Sequence, residues 1–266
     1  MLTQIQIAEA AERLYAAEKD RVQISALSQS MDMDMTDAYA IQKSWLDRRL
    51  ADGEQVVGYK IGLTSKAMQL AMNIDIPDYG VLTDAMVFEN GSTLLADDFM
   101  DPRIESEFAF VLKAPLFGES VSIEEVMMAT EYIQPALELI SARSFRVDPD
   151  TGYTRNVCDT IADNAANAGI ILGGKPVSPD DLDLPHAGAI LKVNGEVEDT
   201  GLGAAVMGHP GHGISWVCRR FAQHGVGLEA GQVILSGSFT RPVPVAKDDV
   251  ICADYGKLGL VEVSFS

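Results

Sequence analysis

Positive charge is in short supply in this chain: 20 Lys and Arg stand against 39 Asp and Glu, a formal net charge of −19. A broad nucleic-acid-binding surface is thereby excluded, because contacts to a phosphate backbone need clustered cations. An anionic ligand would also meet an unfavourable long-range field, so any site for one must concentrate positive charge locally. Cysteine is scarce too, with three among 266 residues. Cys158, Cys218 and Cys252 form no Cys-x-x-Cys pair and cannot all be paired within one chain, which points to free thiols and a cytoplasmic location. The first residues show no basic segment followed by an apolar one, so no signal peptide is expected. No apolar run approaches the roughly 20 residues of a membrane span.

Several common chemistries lack their motifs. The segment Gly58–Lys66 does not have the glycine spacing of a Walker phosphate loop. Ser238, in Gly237-Ser238-Phe239-Thr240-Arg241-Pro242, lacks the Gly-x-Ser-x-Gly elbow of a serine hydrolase. His209-Pro210-Gly211-His212 reads as a turn, with no carboxylate or thiol at a metal-ligand spacing.

What is present is an ordinary globular composition, 47% hydrophobic and 22% charged, long enough for one elaborate domain or two unequal ones. Apolar periodicity predicts helices over 4–20 and 37–51, the second capped by Thr36 and closed by Gly53. Strand patterns dominate afterwards, with a short helix Lys66–Met72, a hairpin of Met86–Phe88 with Thr93–Leu95, and a capping box at Ser122–Glu125 opening another helix. The polar, turn-rich stretch 144–155 reads as a loop or lid.

The chain is organised around Arg103-Ile104-Glu105-Ser106-Glu107-Phe108-Ala109-Phe110-Val111-Leu112. Side chains alternate faces along a strand, so Glu105 and Glu107 share one side of an otherwise apolar segment. Paired carboxylates repel and resist desolvation unless a cation sits between them. A second apolar run, Ile133–Ile140, contributes Glu138. Three carboxylates with water suit a hard divalent ion, Mg²⁺ or Mn²⁺. The alternative is an acidic edge strand with solvated glutamates, and the two readings differ in burial. Lys60, between Gly58 and Gly62, is either a site residue beside closely approaching backbone or a surface lysine. Thr64 or Ser65 can cap the helix that follows it. Asp78 sits in the turn-like Pro77-Asp78-Tyr79-Gly80.

These segments, with Pro135-Ala136-Leu137-Glu138, Asp159–Asn164 and Gly237–Pro242, resemble the 2-oxo-acid hydratases of the fumarylacetoacetate hydrolase superfamily over nearly the whole chain and in the expected order. The stretch from Asp148 to Gly169 resembles members acting on a longer, dicarboxylate substrate. The resemblance implies an α+β fold, with a mainly helical portion (1–75) followed by a mixed β-roll (76–266) that carries the metal site. It implies Mg²⁺ on Glu105, Glu107 and Glu138, catalytic roles for Lys60 and Asp78, substrate contacts from Thr64, Ser65, Ser238 and Thr240, and a homo-oligomer, with a ring of dimers as the expected form. For the distal carboxylate of a 2-oxo diacid, Arg143, Arg146 and Arg155 are the nearest cations in sequence, with Arg143 and Arg155 nominated; solvated loop charge is the alternative. The same site would serve a related decarboxylase or the hydratase of a shorter monoacid. A non-catalytic scaffold is the reading from a different class.

Overall fold

In the computed structural model, which describes residues 1–71, 74 and 76–266, two helices come first because two amphipathic stripes come first. Helix α1 (Gln4–Asp20) starts on a Thr3 capping box and buries Ile7, Ala10, Ala11, Leu14 and Ala17. Helix α2 (Met35–Ala51) buries Ala38, Ile41 and Trp45, and the two stripes meet in a second core that also takes in Met86, Ile161 and Ala162. The cap of α2 is Asp34, not Thr36. Asp34 accepts from Asp37 N while the Asp37 side chain reaches back to Asp34, a reciprocal pair that Thr36 would not make.

The chain continues through β1 (Val56–Gly62), α3 (Lys66–Ala71), β2 (Asp78–Thr83), β3 (Val87–Phe88), β4 (Thr93–Leu94) and β5 (Arg103–Leu112). The Met72 end predicted for α3 lies outside the described residues. Next come α4 (Ile123–Ala129), β6 (Thr130–Ile140), α5 (Val157–Ala162), β7 (Asn167–Leu172), β8 (Gly188–Val193) and β9 (Glu196–Leu202). Helix α6 (Gly211–Ala222) precedes β10 (Val233–Ser238), β11 (Val243–Pro244), β12 (Val250–Asp254) and β13 (Leu260–Phe265).

The architecture is α+β. An eight-stranded mixed sheet runs β2-β1-β10-β5-β6-β7-β3, with β11 added beside β5, and a five-stranded sheet runs β4-β13-β12-β8-β9. The main core combines both sheets with the apolar sides of α4 and α6. The hairpin predicted over 86–95 does not form. Its turn is there, with Gly91 at a φ of 79°, but β3 pairs with β7 and β4 with β13. Asn90 and Gly91 bond instead to the backbone of Glu262, so two-residue strands too short to hold each other are captured by longer ones.

Strand β5 lies between β10 and β6, buried on both faces. Phe108, Phe110 and Leu112 enter the main core, while Ala109 packs with Leu82, Ala136, Ile170 and Leu235 in a smaller cluster on the opposite face. Glu105 and Glu107 share the Ala109 face. Among the described residues no helix is long and apolar enough to cross a membrane.

Candidate active site

The antiparallel register of β5 and β6 sets Glu105 directly opposite Glu138, and Glu107 opposite Ala136. Carboxylate oxygens of Glu105, Glu107 and Glu138 all lie within 4.8 Å of one another. The glutamates are not an acidic edge: Glu107 and Glu138 are each 1% exposed. Burial, then the charge of Glu138, pushes the Glu105 carboxyl up to about 8. The same two causes, followed by Glu105 itself, hold Glu107 well above the ordinary range. Glu107 Oε2 accepts from Gly237 N at 2.9 Å, whereas Glu138 Oε1 faces only the Lys60 ammonium, at 3.1 Å and without hydrogen-bond geometry. Buried, mutually repelling hard oxygen donors with unspent lone pairs fit a divalent cation such as Mg²⁺ or Mn²⁺.

Lys60 is the nearest counter-charge, its Nζ 3.1 Å from Glu138 Oε1 and its side chain almost fully buried. Burial alone would lower its pKa. The protein's own carboxylates, led by Glu138 and Asp78, outweigh that and hold the ammonium above its ordinary value. Asp78, in strand β2 rather than a free turn, pairs in register with Gly62. Both of its carboxylate oxygens are buried without a hydrogen-bond partner, and burial raises its pKa. A side chain at Gly62 would put Cβ 2.2 Å from Asp78 Oδ1 and 3.2 Å from Lys60 Nζ. The glycine therefore lets the aspartate lie across β1 beside the lysine.

One cavity of about 110 Å³ is lined by Lys60, Thr64, Ser65, Asp78, Glu105, Glu107, Arg146, Arg155, Ser238 and Thr240 among others. Ser238 and Thr240 also tie the wall to β5: Thr240 Oγ1 accepts from Ser106 N at 2.9 Å, and Ser238 Oγ lies 3.4 Å from Ser106 O while donating to Thr240 O at 2.6 Å. Gly237, at φ 122°, brings this segment so close to Thr64 that a Cβ would lie 2.4 Å from Thr64 Oγ1.

The three arginines part company. Arg143 does not line the cavity. Its guanidinium is buried against Trp45, 4.8 Å from the ring centroid, and donates to Glu18 Oε1, Asp163 Oδ1 and Asn167 O. A buried guanidinium needs partners of this kind, and they engage both of its terminal nitrogens. Arg155 does line the cavity, and it is poorly satisfied. It is 8% exposed, with one 3.4 Å hydrogen bond to Ser144 O and Asp163 Oδ2 at 4.0 Å. Burial, then the charge of Arg146, pushes its pKa down to about 10, so it stays cationic at neutral pH. Arg146, absent from the nominated pair, lines the same cavity and bonds to Asp101.

Sequence reasoning missed the turn Asn164-Ala165-Ala166, whose two alanines form part of the cavity wall. All three have positive φ (50°, 52° and 55°) although none is glycine. A left-handed residue of this kind costs about 1–2 kcal/mol, so the turn persists only because its surroundings hold it. Asn164 Oδ1 accepts from Val81 N at 2.7 Å, and Asn164 Nδ2 donates to Val81 O at 2.9 Å. From the other side, Arg143 bonds to Asp163 and Asn167, which flank the turn. The asparagine was the available signal, being enriched in left-handed backbone.

No family model matches the chain. It is 50% identical over 256 residues to 2-oxo-hept-4-ene-1,7-dioate hydratase of Escherichia coli, covering 96% of each protein. It is 37% identical over 265 residues to 2-keto-4-pentenoate hydratase of Paraburkholderia xenovorans, covering 99% of this chain and 96% of the relative. The structure superimposes on 4-oxalocrotonate decarboxylase from Pseudomonas putida G7, complexed with magnesium and adipate. The TM-score is 0.94 at 33% identity, over 100% of this chain and 99% of that one. With likeness of this extent to both hydratases and a decarboxylase, the chain belongs to the hydratase and decarboxylase branch of the fumarylacetoacetate hydrolase superfamily.

Proposed function

We propose that the protein is a divalent-metal-dependent hydro-lyase that adds water to a 2-oxo-heptenedioate, or its 2-hydroxyhepta-2,4-dienedioate tautomer, giving 4-hydroxy-2-oxoheptanedioate. The observation that carries this reading is one cavity lined by Glu105, Glu107, the Lys60–Asp78 pair and two arginines, its two glutamates clustered with the buried Glu138. A diacid needs two anion sites, and the cavity offers two kinds of positive charge: a cation on the glutamates, and the guanidinium groups of Arg146 and Arg155.

Glu105, Glu107 and Glu138 would hold the metal. When bound, it supplies Lewis acidity that stabilises negative charge developing on the substrate's 2-oxygen. The Lys60 ammonium, fixed beside Glu138, adds a second positive group and a movable proton. Ketonisation removes the proton of the 2-hydroxyl and places one on C5, leaving a conjugated enone. Water then bonds through oxygen to C4 and a proton goes to C3. Asp78 is the group assigned to take the water's proton, since its carboxylate has free lone pairs and burial makes it a stronger base. Arg155, short of partners, is the first choice for the distal carboxylate, which a guanidinium binds in two-point fashion.

A second reading, decarboxylation of a 2-oxo-enedioate, is favoured by the superposition on 4-oxalocrotonate decarboxylase. A panel of 2-hydroxydienoates, run with EDTA and with Mg²⁺ restored, separates the two. Loss of dienoate absorbance with a gain of one water on the seven-carbon diacid supports hydration. Release of CO₂ from a 2-oxo-enedioate in its place transfers the case to the decarboxylase.

The substrate class and the free thiols are consistent with a cytoplasmic enzyme. Exposed Phe117, Met128 and Val226 support a homo-oligomer. The core built mainly by α1 and α2, distinct from the core of the sheets, supports a mainly helical part at 1–75 before a mixed-β part at 76–266, although Met86, Ile161 and Ala162 of the second part join that core and β1 of the first joins the large sheet.

A further inference from the structure

Asp78 presents an unusual problem of aim. Neither carboxylate oxygen has a hydrogen-bond partner, so the direction of the side chain depends on where its backbone lies. Among the described residues, strand β2 is the last strand on its side of the large sheet, paired with β1 only. Its other edge is held by side chains. Asn164 makes both bonds that a neighbouring strand would make to Val81, one accepted and one donated, and Asn167 Nδ2 adds a third to Val81 O at 3.0 Å. One residue nearer Asp78, the Asn164 carbonyl sits so close to Gly80 that a Cβ there would lie 2.5 Å from it. Next again, Gln42 Nε2 donates to Tyr79 O at 2.9 Å and to Ile161 O at 3.0 Å. The contacts thus run along β2 toward Asp78 from one side of the cavity.

The element that makes them is strained. Asn164 begins three consecutive left-handed residues, and the two that follow line the cavity alongside Asp78. A relaxed right-handed turn would carry the amide away from Val81. We infer that Asn164 is a positioning residue for the hydration step: by standing in for a missing β-strand it holds the free edge of β2, and with it Asp78, at the cavity. This rests on the reading of Asp78 as the group that handles the water.

The test compares Asn164→Gly and Asn164→Asp with the parent enzyme, and each with the same change made in an Asp78→Asn background. Glycine accepts the left-handed backbone freely and removes both bonds to Val81, so it separates the clamp from the strain. Aspartate keeps the acceptor for Val81 N but offers no donor to Val81 O. The expected result for Asn164→Gly is a fall in kcat of about 10²-fold, the scale of a small misplacement of a reacting group. KM and the Mg²⁺ dissociation constant, read by thermal-shift titration without substrate, should stay within about threefold. In the Asp78→Asn background the change should cost little more. If Asn164→Gly does not fold, Asn164→Asp carries the same comparison with a smaller expected loss. Full turnover with only a lower melting temperature overturns the inference, as does an equal loss with and without Asp78. Full turnover of Asp78→Asn alone shows the reading of Asp78 to be wrong and removes the inference with it.

Discussion

Glu105 and Glu138 face each other across adjacent antiparallel strands, a like-charge pair at the closest cross-strand position, with Glu107 completing the cluster. Such a pair destabilises a sheet unless something neutralises it. Added Mg²⁺ should therefore raise the melting temperature of EDTA-treated protein. A ligand at 100 times its dissociation constant contributes about 2.7 kcal/mol, or on the order of 5–10 °C for a chain of this size. Glu105→Gln should raise the metal-free melting temperature and abolish the Mg²⁺ response. A variant that responds to Mg²⁺ as the parent does would remove Glu105 from the ligand set.

Tyr255 reaches the same strands from the five-stranded sheet's end. Its hydroxyl lies 2.8 Å from Glu107 O and 2.6 Å from Ala136 O, the two residues that oppose each other two positions from the Glu105–Glu138 pair. Tyr255→Phe leaves those buried carbonyls without that donor, so Glu107 loses a support. Metal affinity should weaken by about 10-fold or more, the usual effect of removing a group that orients a ligand. Titration with Mn²⁺, followed by its electron paramagnetic resonance signal, measures this directly.

The division of labour among the arginines gives a contrast. Arg155→Ala should reduce kcat/KM on the seven-carbon diacid by roughly 10–100-fold, the scale of one charged hydrogen-bonding contact, while 2-hydroxypentadienoate is turned over almost as before. Equal losses on both substrates would reject the distal-carboxylate role.

Arg143→Ala should behave differently, because Asp163 stays buried when its partner is removed. Breaking a buried pair in this way costs about 3–5 kcal/mol. Urea denaturation should show that loss, without any preference between diacid and monoacid in the activity that remains.

Glu18 links this cluster to pH. Burial raises its pKa, but Arg143 and Arg49 together outweigh burial, and the carboxyl lies below its ordinary value. A depressed folded-state pKa contributes stability above the unfolded-state value of roughly 4.3, and that stability is lost as pH falls through the folded value. Glu18→Gln should therefore melt lower than the parent at pH 7, and the gap should close as both are acidified below about pH 4. A gap that is constant from pH 7 to pH 3 would contradict the ion pair.

Legibility followed the range of the interactions. The face shared by Glu105 and Glu107 could be read directly, because two-residue alternation is a property of one strand's own backbone. Helices α1 and α2 were legible for the same reason, their apolar stripes being local. Glu138 could be nominated as an isolated carboxylate, but its place opposite Glu105 depends on the pairing of β5 with β6.

Where several local solutions were chemically equivalent, distant partners chose among them. Thr36 and Asp34 are both acceptable caps, and the reciprocal bond to Asp37 selects Asp34. Residues 86–95 contain a sound turn, yet Glu262 captures it and sends its strands to different sheets. Arg143 and Arg155 are indistinguishable as loop cations until Trp45, Glu18 and Asp163 surround the first and leave the second at the cavity. The left-handed run at Asn164–Ala166 is unfavourable by any local rule and exists because Val81 and Arg143 hold it from outside. Neighbours along a chain settle period and propensity; register, burial and strain are shared among segments far apart in sequence and appear only when those segments pack.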